Sequence, residues 1–240
     1  MTTGTVGVVV IAKNQEAFVA EAIESVYEQD YEHVRLVFVD DASDDETVVR
    51  AMDAIANQQC SAQAMPKSVG PSAARNAGAL AVWGHEFLLF LDGDDALHPH
   101  FLAETVRALS LDLACDVAYT DADHFGEGRK TYRVDSGAWS PGVLANSNPI
   151  PYCSLMRASA FRFVGGYRAD EGMMADWGLW RRMARAGIKG VRVPRPLFRY
   201  RRHPGQWTAT VTREERARLR GLVMQNRVGD SISPPRVSER

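Results

Sequence analysis

The hydrophobic positions of this chain fall into short unbroken runs that alternate with stretches of helical spacing. Val6-Gly7-Val8-Val9-Val10-Ile11-Ala12, Val34-Arg35-Leu36-Val37-Phe38-Val39 and Phe87-Leu88-Leu89-Phe90-Leu91 are compact and apolar throughout, the pattern of parallel strands buried on both faces. Between the first two, Phe18, Ala22, Ile23, Val26 and Tyr27 recur at helical spacing and predict an amphipathic helix over 16–28. A second helix follows the 34–39 strand, with Val48, Val49, Met52 and Ile55 expected inward and Ser43 or Asp44 as its cap. A weak strand near 62–65 precedes a small-residue helix over 70–78. A helix opened by Pro99 and carrying Phe101, Val106 and Leu109 leads to a strand over 115–121. This β-α-β-α order predicts an α/β fold with a mostly parallel central sheet flanked by helices.

From about residue 126 the pattern loosens. Gly-, Pro- and Asn-containing stretches up to 151 read as loop or short strands, 153–163 as helix, and 173–183 as a helix with Leu179, Met183 and Ala186 inward. A last edge strand is expected over 197–200, then a basic loop and a final helix capped by Thr212 and running to about Gln225. The expected organisation is one domain over 1–228, with a first half (1–125) and a second half (126–228), and a frayed tail over 229–240.

Composition at 240 residues is that of a soluble globular chain and excludes wholesale disorder. No apolar run approaches the roughly 20 residues of a membrane-spanning helix. The first apolar segment lacks a basic leader and reads as a core strand, so the expected location is cytoplasmic, with peripheral contact at the inner membrane face allowed. Cys60, Cys115 and Cys153 follow no metal-ligand spacing and read as reduced thiols. The net charge of −2 conceals an asymmetry. Residues 1–128 carry 6 Lys/Arg and 22 Asp/Glu, residues 129–240 carry 22 and 8, and arginine dominates the second set. Arginine favours bidentate phosphate contacts, so the second half is expected to face a phosphate-bearing or otherwise anionic ligand, although a solvated surface accounts for any single residue equally.

The strongest chemical signal is where the strands end. The 87–91 run stops in Asp92-Gly93-Asp94-Asp95, and the 34–39 run stops in Asp40-Asp41-Ala42-Ser43-Asp44-Asp45. Carboxyl ends of parallel strands form the crevice in which open α/β sheets bind ligands. Three carboxylates around one glycine repel one another unless a cation joins them, and hard oxygens suit Mg²⁺ or Mn²⁺ bridging to substrate phosphates. A plain Asp-Gly turn capping the next helix explains the same residues. Arg75, alone in an apolar helix, is either a surface residue or a guanidinium carried toward the sheet edge. Asp176 in the first turn of its helix is either a dipole-favoured acid or a functional carboxylate.

Five segments in order bear on these alternatives: the acids Asp40, Asp41 and Asp45 with Ser43; Gly70-x-Ser72-x-Ala74-Arg75-Asn76-x-Gly78; Leu91-Asp92-x-Asp94-Asp95; Asp176-Trp177-x-Leu179-Trp180; and Tyr200-Arg201-x-His203. Together, over roughly 6–207, they resemble the family 2 inverting glycosyltransferases of the GT-A fold. The resemblance implies a nucleotide-diphosphate sugar as donor, a UDP-sugar by preference. By position, Asp41, with Asp40 nearby, would meet the base, and Ile11 and Ala12 would touch base or ribose through backbone. Arg75 would reach the nucleotide or its diphosphate. Asp92, with Gly93 and Asp94 beside it, would face the ribose, and Asp94 or Asp95 with His203 would hold Mn²⁺ or Mg²⁺. Asp176 would be the catalytic base. The chain has Ala175-Asp176 where the family often has Glu-Asp, and it lacks the Gln-x-x-Arg-Trp motif of processive synthases, which favours transfer of one sugar.

The first half would then bind the nucleotide sugar and the second a glycan or lipid-linked glycan acceptor, through the 126–151 region, the 157–168 stretch and the Asp176 helix. Trp139, Tyr152, Trp177 and Trp207 are candidates to stack on sugar rings or on bases, and a nucleic-acid acceptor stands as the less favoured alternative. A nucleotidyltransferase would want a glycine-rich phosphate loop after the first strand, and Ala12-Lys13-Asn14-Gln15 is not one. A degenerate module binding an anionic polymer is the non-enzyme alternative.

Overall fold

The computed structural model describes residues 4–56, 58, 60–126 and 130–225, with the side chains of Thr208 and Ala209 left aside. The elements run β1 (Val6–Ala12), α1 (Val19–Tyr27), β2 (Val34–Asp40), α2 (Thr47–Ile55), β3 (Cys60–Ala64), α3 (Pro71–Ala81), β4 (Phe87–Asp92), β5 (Ala96–Leu97) and α4 (Phe101–Leu111). The second half continues with β6 (Val117–Phe125), β7 (Tyr132–Val134), α5 (Pro141–Leu144), β8 (Leu155–Arg157) and α6 (Ala158–Phe163). A 3₁₀ turn over Ala169–Met174 then leads to α7 (Ala175–Arg185), β9 (Gly190–Arg201), α8 (Trp207–Thr210) and α9 (Arg213–Gln225). The 229–240 tail lies outside the described residues.

The strands form one sheet in the order β3-β2-β1-β4-β8-β6-β9-β5, with β7 added along β6. The first four are parallel, as the unbroken apolar runs predict. Beyond β4 the pairing is mixed: β8 is antiparallel to both β4 and β6, while β6 and β9 are parallel. The sheet is therefore less parallel than expected, because the three-residue β8 enters antiparallel between β4 and β6.

Side chains alternate across the sheet with period two. Val8, Val10, Leu36, Phe38, Leu89 and Leu91 pack against α1 and α4 on one face. Val9, Ile11, Val37, Val39, Leu88 and Phe90 pack against α3 and α7 on the other. Gly78 lets α3 lie close, since a Cβ there would sit 2.3 Å from Val9 Cγ1.

Several expectations need correction. Val49 and Met52 are 57% and 47% exposed, and α2 buries Thr47, Ala51 and Ile55 instead. The amide of Thr47 is capped by Asp45 Oδ1 at 2.9 Å, not by Ser43 or Asp44. The 153–163 stretch is a loop, then β8, then α6, and the β8 residues pair with both neighbouring strands. The strand expected at 197–200 is the twelve-residue β9, which lies inside the sheet between β6 and β5. Helix α7 is buried nearly all round, Arg181 and Arg182 included, with Ala186 half-buried beyond its end. Thr212 Oγ1 accepts the Glu215 amide at 3.1 Å, the expected cap. No helix among the described residues is long and apolar enough to cross a membrane.

Candidate active site

The carboxyl ends of β1, β2 and β4 open onto a cleft of about 550 Å³ lined by Ile11, Ala12, Asp41, Asp92, Asp94 and Asp95, with His203 and Trp207 on the far wall. Its floor is built by two loops zipped together. Ser43 Oγ accepts the Asn14 amide at 2.9 Å, Asn14 Oδ1 accepts the Asp44 amide at 3.0 Å, and Thr47 Oγ1 accepts the Gln15 amide at 2.6 Å. Asn14 and Ala42 hold positive φ of 53° and 59°, a strained backbone that these bonds maintain. Asp40 turns away from the cleft and closes its own loop on the amide and hydroxyl of Ser43. Asp41 lines the cleft while accepting from Ser68 Oγ and from the amides of Val69 and Gly70, which fixes the turn into α3.

The acidic end of β4 is a partitioned cluster. One ligand oxygen from each of Asp92, Asp94 and Asp95 lies within 4.8 Å of the others. Gly93 seats the turn against β1, donating to Ile11 O at 2.8 Å, and a Cβ there would sit 2.5 Å from Gln15 Oε1. Asp95 is buried, accepting from Tyr152 Oη at 2.6 Å and from the Arg201 amide at 2.7 Å. Burial, then repulsion from Asp94 and Asp92, pushes its carboxyl well above the usual range. Asp92 pairs with Arg75 at 2.5 Å, and its carboxyl too is raised, by burial first. Asp94 has a different partner: its Oδ2 lies 3.0 Å from His203 Nε2, whose ring packs tilted on Phe18. Arg201 braces this turn, donating to Asp94 O at 2.8 Å and pairing with Glu21. The basic loop is therefore anchored rather than free in solvent.

Arg75 is buried, not superficial. Its guanidinium is flanked by the rings of Tyr152 and Tyr167 at 5.3 and 5.2 Å. Beyond Arg75 and Asp92 a second cleft of about 510 Å³ opens, with Asp176 and Asn148 on its wall. Asp176 stands in the first turn of α7 and accepts from Asn148 Nδ2 at 2.8 Å. Burial raises its carboxyl, opposed by the Trp177 amide, by Arg75 and by Asn148.

The structure thus brings Ile11, Ala12, Asp41, Asp92, Asp94, Asp95, His203, Arg75 and Asp176 to two joined clefts, and leaves Asp40 outside them. Trp139 and Trp177 are not available for stacking, since Trp139 packs on Tyr119 and Trp180, and Trp177 is buried and donates to Leu144 O. Tyr152 and Trp207 do line the clefts. The 157–168 stretch lines neither. Its Arg157 pairs with Glu86 and packs on Phe87, at the opposite end of β4. Sequence reading missed Asn148, Arg201 as the brace, and Tyr152 as the hinge that accepts the Asp92 amide while donating to Asp95. All three lie in segments without periodicity, where only tertiary contact reveals a role.

The model of the family described as "Glycosyl transferase family 2" matches residues 7–165. The candidate glycosyltransferase EpsE of Bacillus subtilis (strain 168) is 29% identical over 201 residues, covering 82% of this chain and 72% of that one. TarS 1–349 of S. aureus, solved in complex with UDP-GlcNAc, superposes with a TM-score of 0.73 at 16% identity, over 91% of this chain and 65% of that one. The mannosyltransferase PcManGT from Pyrobaculum calidifontis, solved with GDP-Man and Mn²⁺, gives 0.65 at 20% identity over 89% of this chain and 59% of that one. The chain therefore spans less than two thirds of either solved chain. By the family match and the shared architecture, this chain belongs to glycosyl transferase family 2 and is a glycosyltransferase domain of the GT-A fold.

Proposed function

We propose that the protein transfers one sugar from a nucleotide-diphosphate sugar, a UDP-sugar by preference, to a hydroxyl of a glycan or lipid-linked glycan, with inversion at the anomeric carbon. The observation that carries this reading is the pair of clefts that share Pro71, Asp92, Tyr200 and Trp207, one bearing Asp94 and the other Asp176. An inverting displacement needs leaving group and base on opposite faces of one carbon, and these two carboxylates approach the junction from different clefts. The acceptor oxygen forms its bond to the anomeric carbon as the bond to the diphosphate oxygen breaks. The acceptor proton passes to Asp176, and the nucleoside diphosphate leaves.

Asp176 is suited to this step because its raised pKa brings it nearer the working pH, where a general base is most effective. Asn148 donates to Oδ2 of that carboxylate and so orients it. Arg75 fixes Asp92 at the junction, and Ile11, Ala12 and Asp41 form the nucleoside end of the donor cleft. The donor set fits a divalent cation: hard carboxylate oxygens with one imidazole, of the kind Mn²⁺ or Mg²⁺ accepts. Asp95 and Asp92 are engaged by Tyr152, Arg201 and Arg75, so Asp94 with His203 would hold the ion. Such an ion, when bound, stabilises charge on a departing diphosphate.

Calorimetric titration with UDP, GDP, CDP, ADP and dTDP, each with and without Mn²⁺, tests this. Binding of one nucleoside diphosphate that requires the metal is the expected result and names the base. Silence toward all five would leave only a degenerate module for anionic polymers.

A further inference from the structure

We propose that the outer end of the Asp176 cleft, where β7, β6 and β9 lie side by side, is an extended platform for a saccharide chain. This rests on the glycosyltransferase reading and adds to it that the acceptor is a chain of several sugars rather than a single one. The register of three strands builds the platform. Tyr132 of β7, His124 of β6 and Tyr200 of β9 are direct cross-strand partners. One step inward Val134, Ala122 and Phe198 form the next row, on the same face because they lie two residues along each strand. The small Ala122 leaves a trough between its larger neighbours.

The rings follow one another without a gap. Tyr132 and His124 lie 5.1 Å apart, His124 and Tyr200 4.9 Å, Tyr200 and Phe198 6.0 Å, and Phe198 and Tyr152 5.3 Å between centroids. At the inner end Tyr152 holds Asp95 and the Asp92 amide. At the outer end Tyr132 is half exposed. Phe198 is buried beneath the row, so the rings open to a ligand are Tyr132, His124 and Tyr200, which together exceed what one sugar ring covers. Aromatic side chains offer a rigid apolar surface at small entropic cost, with polar edges, and a sugar ring presents a matching apolar C–H face with hydroxyls at its rim. Trp207 lines the same cleft, and Arg202 lies over Tyr200 at 5.9 Å.

Stacked bases would also suit aromatic rings, but the arginines of the same cleft, Arg75, Arg202 and Arg216, are matched by Asp92, Asp135 and Asp176, so it offers no net positive track for a phosphate backbone. Burial, then Arg202, holds His124 below its ordinary value, so at neutral pH it joins the row as an uncharged ring. These observations favour a saccharide chain.

The full chain, its Tyr132→Ala variant and its Tyr132→Phe variant are applied to an array of glycans from monosaccharides to hexasaccharides and to single-stranded oligonucleotides. Nucleoside diphosphate binding with Mn²⁺ is titrated in parallel. Chains of three sugars or more are expected to bind at least about tenfold tighter than monosaccharides. Tyr132→Ala should weaken only the longer chains, by about fivefold to tenfold as expected of one lost ring contact. Tyr132→Phe should bind as the unaltered protein does, and nucleotide binding should be the same in all three. Monosaccharides bound as well as hexasaccharides, no effect of Tyr132→Ala, tighter binding to oligonucleotides, or no glycan bound at all overturns the proposal. If nucleotide binding persists through such a result, the transferase reading stands and this inference alone falls. If the unaltered protein binds no nucleotide, both fall.

Discussion

At Asp176 two opposing influences meet. Burial favours the protonated carboxyl, whereas the Trp177 amide, Arg75 and Asn148 favour the charged one, and burial prevails. A base works deprotonated, so kcat/KM is expected to fall as pH drops through this raised pKa, giving an acidic limb of unit slope. Asn148→Ala removes a donor to the carboxylate and should move that limb to higher pH, measured in pH–rate profiles. Asp176→Asn should cost about 10²- to 10⁴-fold in turnover while leaving nucleotide affinity unchanged. Full activity with tight donor binding in that variant would take the role of base away from Asp176. The same shift has a sign in stability. A carboxyl whose folded pKa lies above its ordinary 3.8 opposes folding once ionised, so stability declines as pH rises from that value through the folded pKa. Asp176→Asn should therefore raise Tm at pH 8 and have little effect near pH 4.

Helix α3 carries Arg75 to the junction of the clefts, and Gly78, one turn further on, sets how closely it lies on the sheet. In an exposed helix Gly→Ala would gain about 1 kcal/mol in propensity. Here the added methyl would meet Val9 Cγ1 at 2.3 Å and Val39 Cγ2 at 3.0 Å, branched side chains in a packed core. Overpacking costs about 1–3 kcal/mol and wins. Gly78→Ala should lower Tm by a few degrees, with activity falling as Arg75 shifts, and an unchanged or higher Tm would show that the core yields. This closeness was legible from the small residues of the 70–78 stretch, just as the acidic strand ends were legible from abrupt changes in polarity. What escaped the sequence had no period to betray it. Strand β8 is three residues long and hides before a helix, and β9 mixes Arg and Pro with its apolar positions because its flanks pair with charged neighbours. The inward placement expected for Val49 and Met52 failed because α2 sits at the sheet margin, where only one narrow stripe is covered.

The charge asymmetry of the whole chain acquires a physical account in the fold. Acids of the first half and arginines of the second meet as ion pairs: Glu21 with Arg199 and Arg201, Glu104 with Arg195, Glu86 with Arg157, and buried Asp121 with Arg133 and Arg192. Six of the 22 basic residues of the second half are thus engaged in joining the halves, although exposed pairs of this kind contribute at most about 1 kcal/mol each. The donor cleft is a further joint, since Asp94 comes from the first half and His203 from the second. A ligand that binds only the folded state stabilises it by mass action, about 2.7 kcal/mol at one hundred times its Kd. In a domain of this size that corresponds to a rise of roughly 5–11 °C in Tm. Mn²⁺ with the cognate nucleoside diphosphate should therefore raise Tm by that order. Asp94→Ala should abolish the metal-dependent part, while His203→Ala, which leaves the carboxylate in place, should reduce it without removing it. A metal-dependent rise that survives Asp94→Ala would transfer the ligand role to Asp95, and the buried Asp95 would then have to exchange Tyr152 and Arg201 for the ion.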